Sequence, residues 1–380
     1  MLPLILFFIS LAGLSIYSFS LIDPNLTLIN ASWWQEIQGA FINFGYLQRP
    51  TSTNMFLFLT LLLFMIYFFI TRTKKIPHNP FHLALGVVCV TIVSYPFLSH
   101  DLFNYIFDAK IFTFYHQNPY LHAPNEFMAD PWIRFMHWIH RTYPYGPAYL
   151  VLSFIPSFLS MHVFILNFFS FKLMNAMFYL LGVWSLQKLD KRSALIFALH
   201  PFVIVEGLIN AHNDLIAVAL ALVGMYLLQK KHGSRIKAFF VLLGSGLIKF
   251  ISLPFLGFMY KERRTKYFVL IVQVAIVLYL VSANALLAWY FLIFFAFLPV
   301  FPHSIEDLDF LFLGLLLSNY PLIRYGTWEK VGGVDFKNTI IFIFAAINVV
   351  YVLYKKRMNK KSRKNLQVTT NNEKQKVKNV

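Results

Sequence analysis

Charge is what this sequence has least of. Asp and Glu number 16 in 380 residues, and all charged side chains together make up 13%. That is about half the share of roughly 25% usual in soluble domains. Cysteine occurs once, at Cys89, so no disulfide framework exists and the redox compartment is unreadable. No P-loop, GxGxxG, HExxH or Ser-His-Asp arrangement is present, which removes ATP-driven transport in cis, nicotinamide chemistry and zinc proteolysis. Internal repeats and a soluble domain are also missing. The first twenty residues carry no basic leader and no convincing cleavage motif, so they read as a retained span.

Apolar residues fill the space left by charge. They make up 58% of the chain, 18% is aromatic, and Phe alone occurs 43 times. Several runs reach the ~20 residues needed to cross a bilayer core. They are continuous rather than alternating, which excludes a β-barrel. The fold class that follows is an all-α polytopic membrane protein. The net charge of +17 suggests nucleic acid until its location is examined. Of the 33 basic residues, 24 fall in five short stretches at span ends, ten of them after residue 354. This is the positive-inside pattern, and it replaces nucleic acid with topology and an anionic leaflet.

With those stretches cytosolic, the chain alternates. Residues 2–21 run outward, 54–71 inward and 80–98 outward again. Residues 193–209, 214–228, 267–283, 285–301, 310–323 and 337–354 continue the pattern. Residues 148–186 cross an odd number of times, in one long path or with a short helix folded back. Residues 238–258 begin and end near cytosolic charge and read as a broken, re-entrant hairpin, with Gly244, Gly246 and Pro254 at the breaks. The expectation is one transmembrane domain over 1–358, with about 10–12 spans, and a disordered basic cytosolic tail over 359–380. Residues 99–147 form an outer juxtamembrane segment. It is expected to hold two in-plane helices, the second amphipathic over 132–141.

Polar residues concentrate on the outer side. Asp101 follows an apolar span, and Asn104, Tyr105 and Asp108 share its helical face. An acid at a membrane boundary is costly without a task or a partner; Asp101 reads equally as a cap or snorkelling acid. Asp108 reads as well as an exposed acid or a partner of Lys110. Asn118 and Tyr120 flank Pro119 at a helix stop. Tyr145 stands in a rigid Pro/Gly-rich entrance to the next span. Glu206 and Asn210 are four apart, and His212, Asn213 and Asp214 follow at once; Asp214 alone would serve as a helix cap. Lys172, Glu206 and Lys249 interrupt apolar runs. Lys249 either meets an anion such as a lipid phosphate or pairs with Glu206. Arg134 and Arg141 lie on the polar face expected for 132–141. His78 with His82, and His137 with His140, lack a third ligand at metal spacing.

In their order and on their topological side, these residues are similar to the GT-C glycosyltransferases. The sequence most resembles the bacterial polyprenol-phosphate-mannose-dependent mannosyltransferases over roughly residues 80–300. Asp101 with Tyr105 corresponds to their acidic motif, and the run from Asn118 to Tyr120 to the end of their first juxtamembrane helix. The run from Tyr145 to Pro147 resembles their entrance to the next span. The run from His212 to Asp214, and Lys249, match their later polar positions. Trp289 and Tyr290 resemble a late outer-facing span start without its preceding Pro. Two extra N-terminal spans precede the core, and Lys172 stands where Arg is common.

The resemblance implies a GT-C-like helical bundle that moves a hexose, mannose first, from a polyprenyl-phosphate sugar to a lipid or glycan acceptor. Transfer on the extracytoplasmic face of the cell membrane, with inversion, is implied. Asp101 is the implied base. Lys249, Lys172, Arg134 and Arg141 are the phosphate candidates. Tyr105, Asp108, Asn118, Tyr120, Tyr145, Glu206, His212, Asn213 and Asp214 are the donor- or acceptor-binding candidates. No metal ligands are assigned and no cofactor is required, with room left for a divalent cation. Membrane lipids are the other partners. The alternative is a transporter or flippase of a lipid-linked or sugar substrate; a non-catalytic scaffold is a third reading. One broken hairpin rather than two matched halves disfavours transport.

Overall fold

The computed structural model describes residues 2–73, 78–230, 234–283 and 286–378, and of 359–378 the backbone alone. Lys74, Lys75 and Lys231 of the basic stretches lie outside the described residues. In chain order the helices are α1 (Leu2–Tyr17), α2 (Ser32–Ile42), α3 (Arg49–Arg72), α4 (Pro80–Thr91), α5 (Asp101–Thr113), α6 (Pro147–Leu159), α7 (Phe164–Leu189) and α8 (Lys191–Leu199). They continue with α9 (Asp214–Gln229), α10 (Arg235–Ile248), α11 (Arg263–Ala283), α12 (Pro302–Glu306), α13 (Asp309–Leu317), α14 (Tyr320–Tyr325) and α15 (Phe336–Lys378). Among the described residues there is no strand, only an isolated bridge between Val331 and Val334. A chain in lipid must pair its backbone within each segment, and the helix does so.

Five helices are long and apolar enough to cross a bilayer: residues 2–21, α3, α7, α11 and the first half of α15. The helix α8 and the π-helical turn Val203–Ile209 form a sixth when counted as one span bent by 65°. The 10–12 spans expected from hydropathy therefore resolve into five or six long ones and shorter apolar helices packed between them. The all-α polytopic reading holds.

The shortening has local causes. Helix α4 stops at Thr91, where Thr91 Oγ1 donates to the Val87 carbonyl and Ser94 Oγ to the Thr91 carbonyl. Such back-bonding competes with the helix ladder. Residues 148–186 take the second of their two options. Helix α6 has 13 residues, about 20 Å, and runs alongside α5. Thr113 and Ser157 hydroxyls bond at 2.8 Å, and the Phe112 and Phe154 rings stack at 4.3 Å. That leaves α7 as the long crossing.

The pair of helices in the 99–159 layer is thus α5 and α6, not α5 and 132–141. Residues 132–141 hold one short 3₁₀ turn, Ile133–Phe135. Trp132, Ile133, Phe135 and Met136 are all buried, which a one-sided surface helix cannot achieve. Asp130 sets the turn by accepting from the Trp132 N–H. Its other oxygen takes Lys110 at 2.5 Å and the Tyr115 hydroxyl at 2.7 Å. Lys110 therefore pairs with Asp130 rather than Asp108, and its ammonium rests 3.5 Å from the Trp132 ring centre.

Helix α15 continues to Lys378, through the stretch read as a disordered tail. That stretch contains neither Gly nor Pro, the residues that stop helices most strongly.

Basic and acidic residues meet at one end of the bundle. Arg192 holds Glu306 at 2.9 Å, Arg72 holds Asp309 at 3.3 Å, and Lys355 holds Asp307 at 2.5 Å. His200 adds a 3.2 Å contact to Asp309 inside a cage of Phe64, Tyr67, Phe295 and Phe312. Edge-on ring contacts of this kind contribute about 0.5–1.5 kcal/mol each. In lipid, such packing holds helices together more than exclusion from water does. Helix α9 has 16 residues, about 24 Å, so Asp214 lies far from Lys230 at its other end.

The join between α6 and α10 is tight. Gly146 N–H donates to the Ile248 carbonyl at 3.2 Å, and a Cβ on Gly146 would sit 2.0 Å from the Leu247 carbonyl oxygen. Gly146→Ala is expected to lower stability by roughly 1–3 kcal/mol through overpacking. Gly39→Ala, with open space around its Cβ, is expected to be neutral or slightly stabilising. Thermal unfolding of the two purified variants checks this; equal melting temperatures would show that the backbones are not in contact.

Candidate active site

The breaks in three helical runs assemble the site. The first is the start of α5. Asp101 is its first residue, with an N–H that donates to Ser99 Oγ at 3.2 Å. One turn on, the buried Tyr105 hydroxyl donates to Asp101 Oδ2 at 3.5 Å. The second is the π-helical turn Val203–Ile209, which bends the chain and turns Glu206 inward. Wide turns of this kind recur at functional sites. Ala211 follows in the left-handed region at φ +56°, where a non-glycine residue costs energy and calls for a reason. It allows His212, Asn213 and Asp214, all fully buried, to turn back toward α5. The third is Lys249, an extended residue between α10 and the 3₁₀ helix Phe250–Met259.

These breaks bring charges into one chain. His212 Nδ1 lies 3.6 Å from Asp101 Oδ2, and its Nε2 lies 3.3 Å from Glu206 Oε2. Asn210 Nδ2 donates to the same Glu206 oxygen at 3.1 Å, while its Oδ1 accepts from the Leu98 N–H. Trp289 stacks on the His212 ring at 4.4 Å. Lys249 Nζ pairs with Asp214 Oδ2. Lys249 and Glu206 are therefore not partners; each has an opposite charge of its own.

Electrostatics fixes the protonation of the pair. Burial pushes the His212 imidazole down, but Asp101 and Glu206 pull it up further, to about 9. Burial likewise pushes the Asp101 carboxyl up, and His212, Lys249 and Arg141 together bring it below its usual range. At neutral pH the site therefore holds an imidazolium and an ionised Asp101. Burial keeps the Tyr105 phenol protonated by raising it well above 10, so it has a proton to donate to Asp101.

Two cavities meet at Trp289 and Leu287. One, of about 380 Å³, is bordered by Asp101, Arg141, Tyr145, Lys249, Trp289 and Tyr290 among others. The second, of about 350 Å³, is bordered by His100, His137, Trp138, Glu206, Asn319 and Trp328. His212 and Trp289 stand between Asp101 and Glu206, which open onto different cavities.

Other candidates fall elsewhere. Asn118 Oδ1 closes a turn on the Tyr120 N–H, and the Tyr120 hydroxyl donates to the Tyr145 carbonyl. Both shape the loop behind Tyr145. Arg134 donates to Thr27 Oγ1 at 2.8 Å and borders neither cavity. The Lys172 ammonium donates to the Ser94 carbonyl at 2.6 Å and to its hydroxyl at 2.8 Å. It ties α7 to the irregular stretch after α4. Asp108 is buried on α5, away from both cavities. Trp289 was seen in the sequence only as a span-start aromatic; its stacking on His212 depends on a tertiary crossing that periodicity does not report.

Residues 20–262 match the family described as alpha-(1->6)-mannopyranosyltransferase, N-terminal domain, which covers well over half of the chain. The chain belongs to this mannopyranosyltransferase family. It is a membrane mannosyltransferase, using a sugar donor and a glycan or lipid acceptor. The matched residues include Asp101, Glu206, His212, Asp214 and Lys249, while Trp289 lies beyond them. No curated protein and no solved structure matches this mannosyltransferase.

Burial pushes the Asp108 carboxyl up to about 8, with Arg141 opposing and Asp101 adding to the shift. A carboxyl raised in the fold leaves the unfolded chain with fewer protons between pH ~4 and ~8, so folded stability falls as pH climbs through that window. Asp108→Asn is expected to remove this slope. The difference in melting temperature between variant and wild type should grow from about pH 5 to about pH 8; a constant difference would show that Asp108 is ionised in the fold.

Proposed function

We propose that this mannosyltransferase moves a mannosyl group from a polyprenyl-phosphate sugar to a lipid or glycan acceptor, with inversion, on the extracytoplasmic face. The observation that carries the reading is the shared cavity of Asp101 and Lys249, an ionised carboxylate and an ammonium on opposite duties. The positive-inside rule supports that face. The site lies at the Asp214 end of α9 and the clustered basic residues at the other, which supports a cytoplasmic C-terminus.

A phosphate leaves without needing a proton, so the reaction requires one base and a cationic cradle. Lys249, with Arg141 beside it, receives the departing phosphate. Asp214 holds the Lys249 ammonium in place. Asp101 takes the proton of the acceptor hydroxyl as that oxygen attacks the anomeric carbon. The bond from that carbon to the phosphate oxygen breaks on the opposite side, and a single displacement inverts the centre. His212 keeps Asp101 ionised, and Tyr105 orients it.

The two cavities divide the substrates. The one holding Lys249 and Arg141 suits the anionic donor. The reacting hydroxyl of the acceptor enters the Asp101 cavity where the two meet at Trp289 and Leu287, and the rest of the acceptor suits the one holding Glu206, Asn319, Trp138 and Trp328, where its hydroxyls meet the polar groups and its apolar face meets the rings. Asn213 Nδ2 and Oδ1, Asn104 Oδ1 and Asp214 Oδ1 are buried without a hydrogen bond among the described residues. Such atoms cost about 1–3 kcal/mol each when left unpaired. They lie within three residues of Asp101 or His212 but border neither cavity. Arg134 and Lys172, bonded elsewhere, have no part in this scheme.

Asp101→Asn is expected to lower transfer by about 10²–10⁴-fold, with folding retained. Lys249→Ala is expected to lower it by about 10²–10³-fold. Purified protein given polyprenyl-phosphate mannose labelled in the sugar, with products identified by mass spectrometry, checks both. Full transfer by Asp101→Asn would remove the base, and absence of any covalent product in wild type would remove the reaction.

A further inference from the structure

The acceptor-side cavity has a second cluster in its wall that the transfer scheme does not use. Asp23 comes from the turn after α1, His100 precedes α5, and His137 lies in the irregular stretch before α6. The three are far apart in sequence, yet one ligand atom from each falls within 4.8 Å of the others. We propose that Asp23, His100 and His137 form a binding site for one divalent transition-metal ion of the zinc class.

The donor set is right for that ion. Two imidazoles and one carboxylate make a three-ligand site with a position left open. The geometry is prepared. Asp23 Oδ1 is occupied by the Asn25 N–H at 2.8 Å, which leaves Oδ2 facing His137 Nε2 at 3.5 Å. An oriented carboxylate of this kind is what supporting bonds around metal ligands provide. The His100 and His137 rings lie parallel, with centres 3.6 Å apart.

His100 is the N-cap of α5, yet its imidazole makes no capping bond and no hydrogen bond among the described residues. Its backbone sits at φ −99°, ψ 7°, a sparsely allowed region common among active-site residues. A salt bridge between Asp23 and His137 would explain two of the three residues and leave the His100 nitrogens unused, its ring only stacking. In a tetrahedral site with bonds of ~2.0–2.1 Å, ligand atoms stand about 3.4 Å apart. The groups need to close by up to about 1.4 Å and one of the stacked rings to tilt so that the lone pairs converge; His137 is half exposed and able to move.

His100 and His137 both border the cavity that also holds Glu206. The open position of the ion therefore faces an incoming molecule. An oxygen of the acceptor is the fitting occupant; that assignment of occupant rests on the transfer reading, whereas the metal site itself does not.

The test uses untagged, chelator-treated full-length protein and Co²⁺ as the probe, read by its visible absorption, with Zn²⁺ displacement and metal analysis. Wild type is expected to bind one Co²⁺ per chain at micromolar or tighter affinity, displaced by Zn²⁺. His137→Ala and Asp23→Asn are expected to weaken binding at least tenfold while melting as wild type does in chelator. His122→Ala, an exposed histidine paired with Glu126, should bind as wild type does. Equal Co²⁺ affinity in all four proteins, or no saturable binding in wild type, overturns the site. Binding is read without donor or acceptor, so its failure leaves the transfer reading standing, and a failure of transfer with one Co²⁺ bound leaves the metal site standing.

Discussion

A protonated histidine between two carboxylates is the interaction around which the rest of the site is arranged. His212 is fully buried, with Asp101 on one ring nitrogen and Glu206 on the other. Either acid alone would be expensive at this depth. The imidazolium offsets both, and it does so only if the chain reverses sharply between Glu206 and Asp214. The π-helical turn and the left-handed Ala211 provide that reversal. Trp289 then closes the ring face that the carboxylates leave open. Backbone strain, which would be a defect in an ordinary loop, is here the condition for keeping a negative charge on Asp101.

The same economy governs the other cations in the apolar interior. Lys249 answers Asp214, and Lys110 answers Asp130. Lys172 has no acid and settles for two carbonyls and a hydroxyl. Two of the three therefore serve the scaffold. Of these three, Lys249 alone borders a cavity at a helix break, where it can meet an anion from outside. Position at an interrupted helix separates it from the rest better than burial or charge does.

Much of this was legible in the sequence. Asp101, Glu206, His212 and Lys249 stand out because a polar group in an apolar run has few explanations, and hydropathy finds such groups directly. The Lys249 break could be placed within a few residues from the Gly and Pro positions, whereas the π-helical bend falls inside 193–209, which reads as one span. What could not be read was pairing across elements. Glu206 is one of two options for Lys249 and Lys110 one of two for Asp108, because sequence does not report the neighbours that a crossing brings in. The expected helix over 132–141 failed for a related reason. Its apolar residues follow a helical period, but they are buried by α5 and α7 on more than one side, and Asp130 turns the chain before a helix can form. The Asp23, His100 and His137 set is spread over more than a hundred residues and has no local signature at all.

The contact at Gly146 has a mechanical meaning. One backbone bond fastens the start of α6 to the carbonyl just before Lys249, and the absence of a side chain lets the two strands of chain touch. Tyr145 and Lys249, though a hundred residues apart, therefore belong to a single stiff corner. A displacement of α6 cannot open the tyrosine wall without dragging the ammonium along. Widening the cavity on that side and loosening the grip on an anion are consequently the same movement.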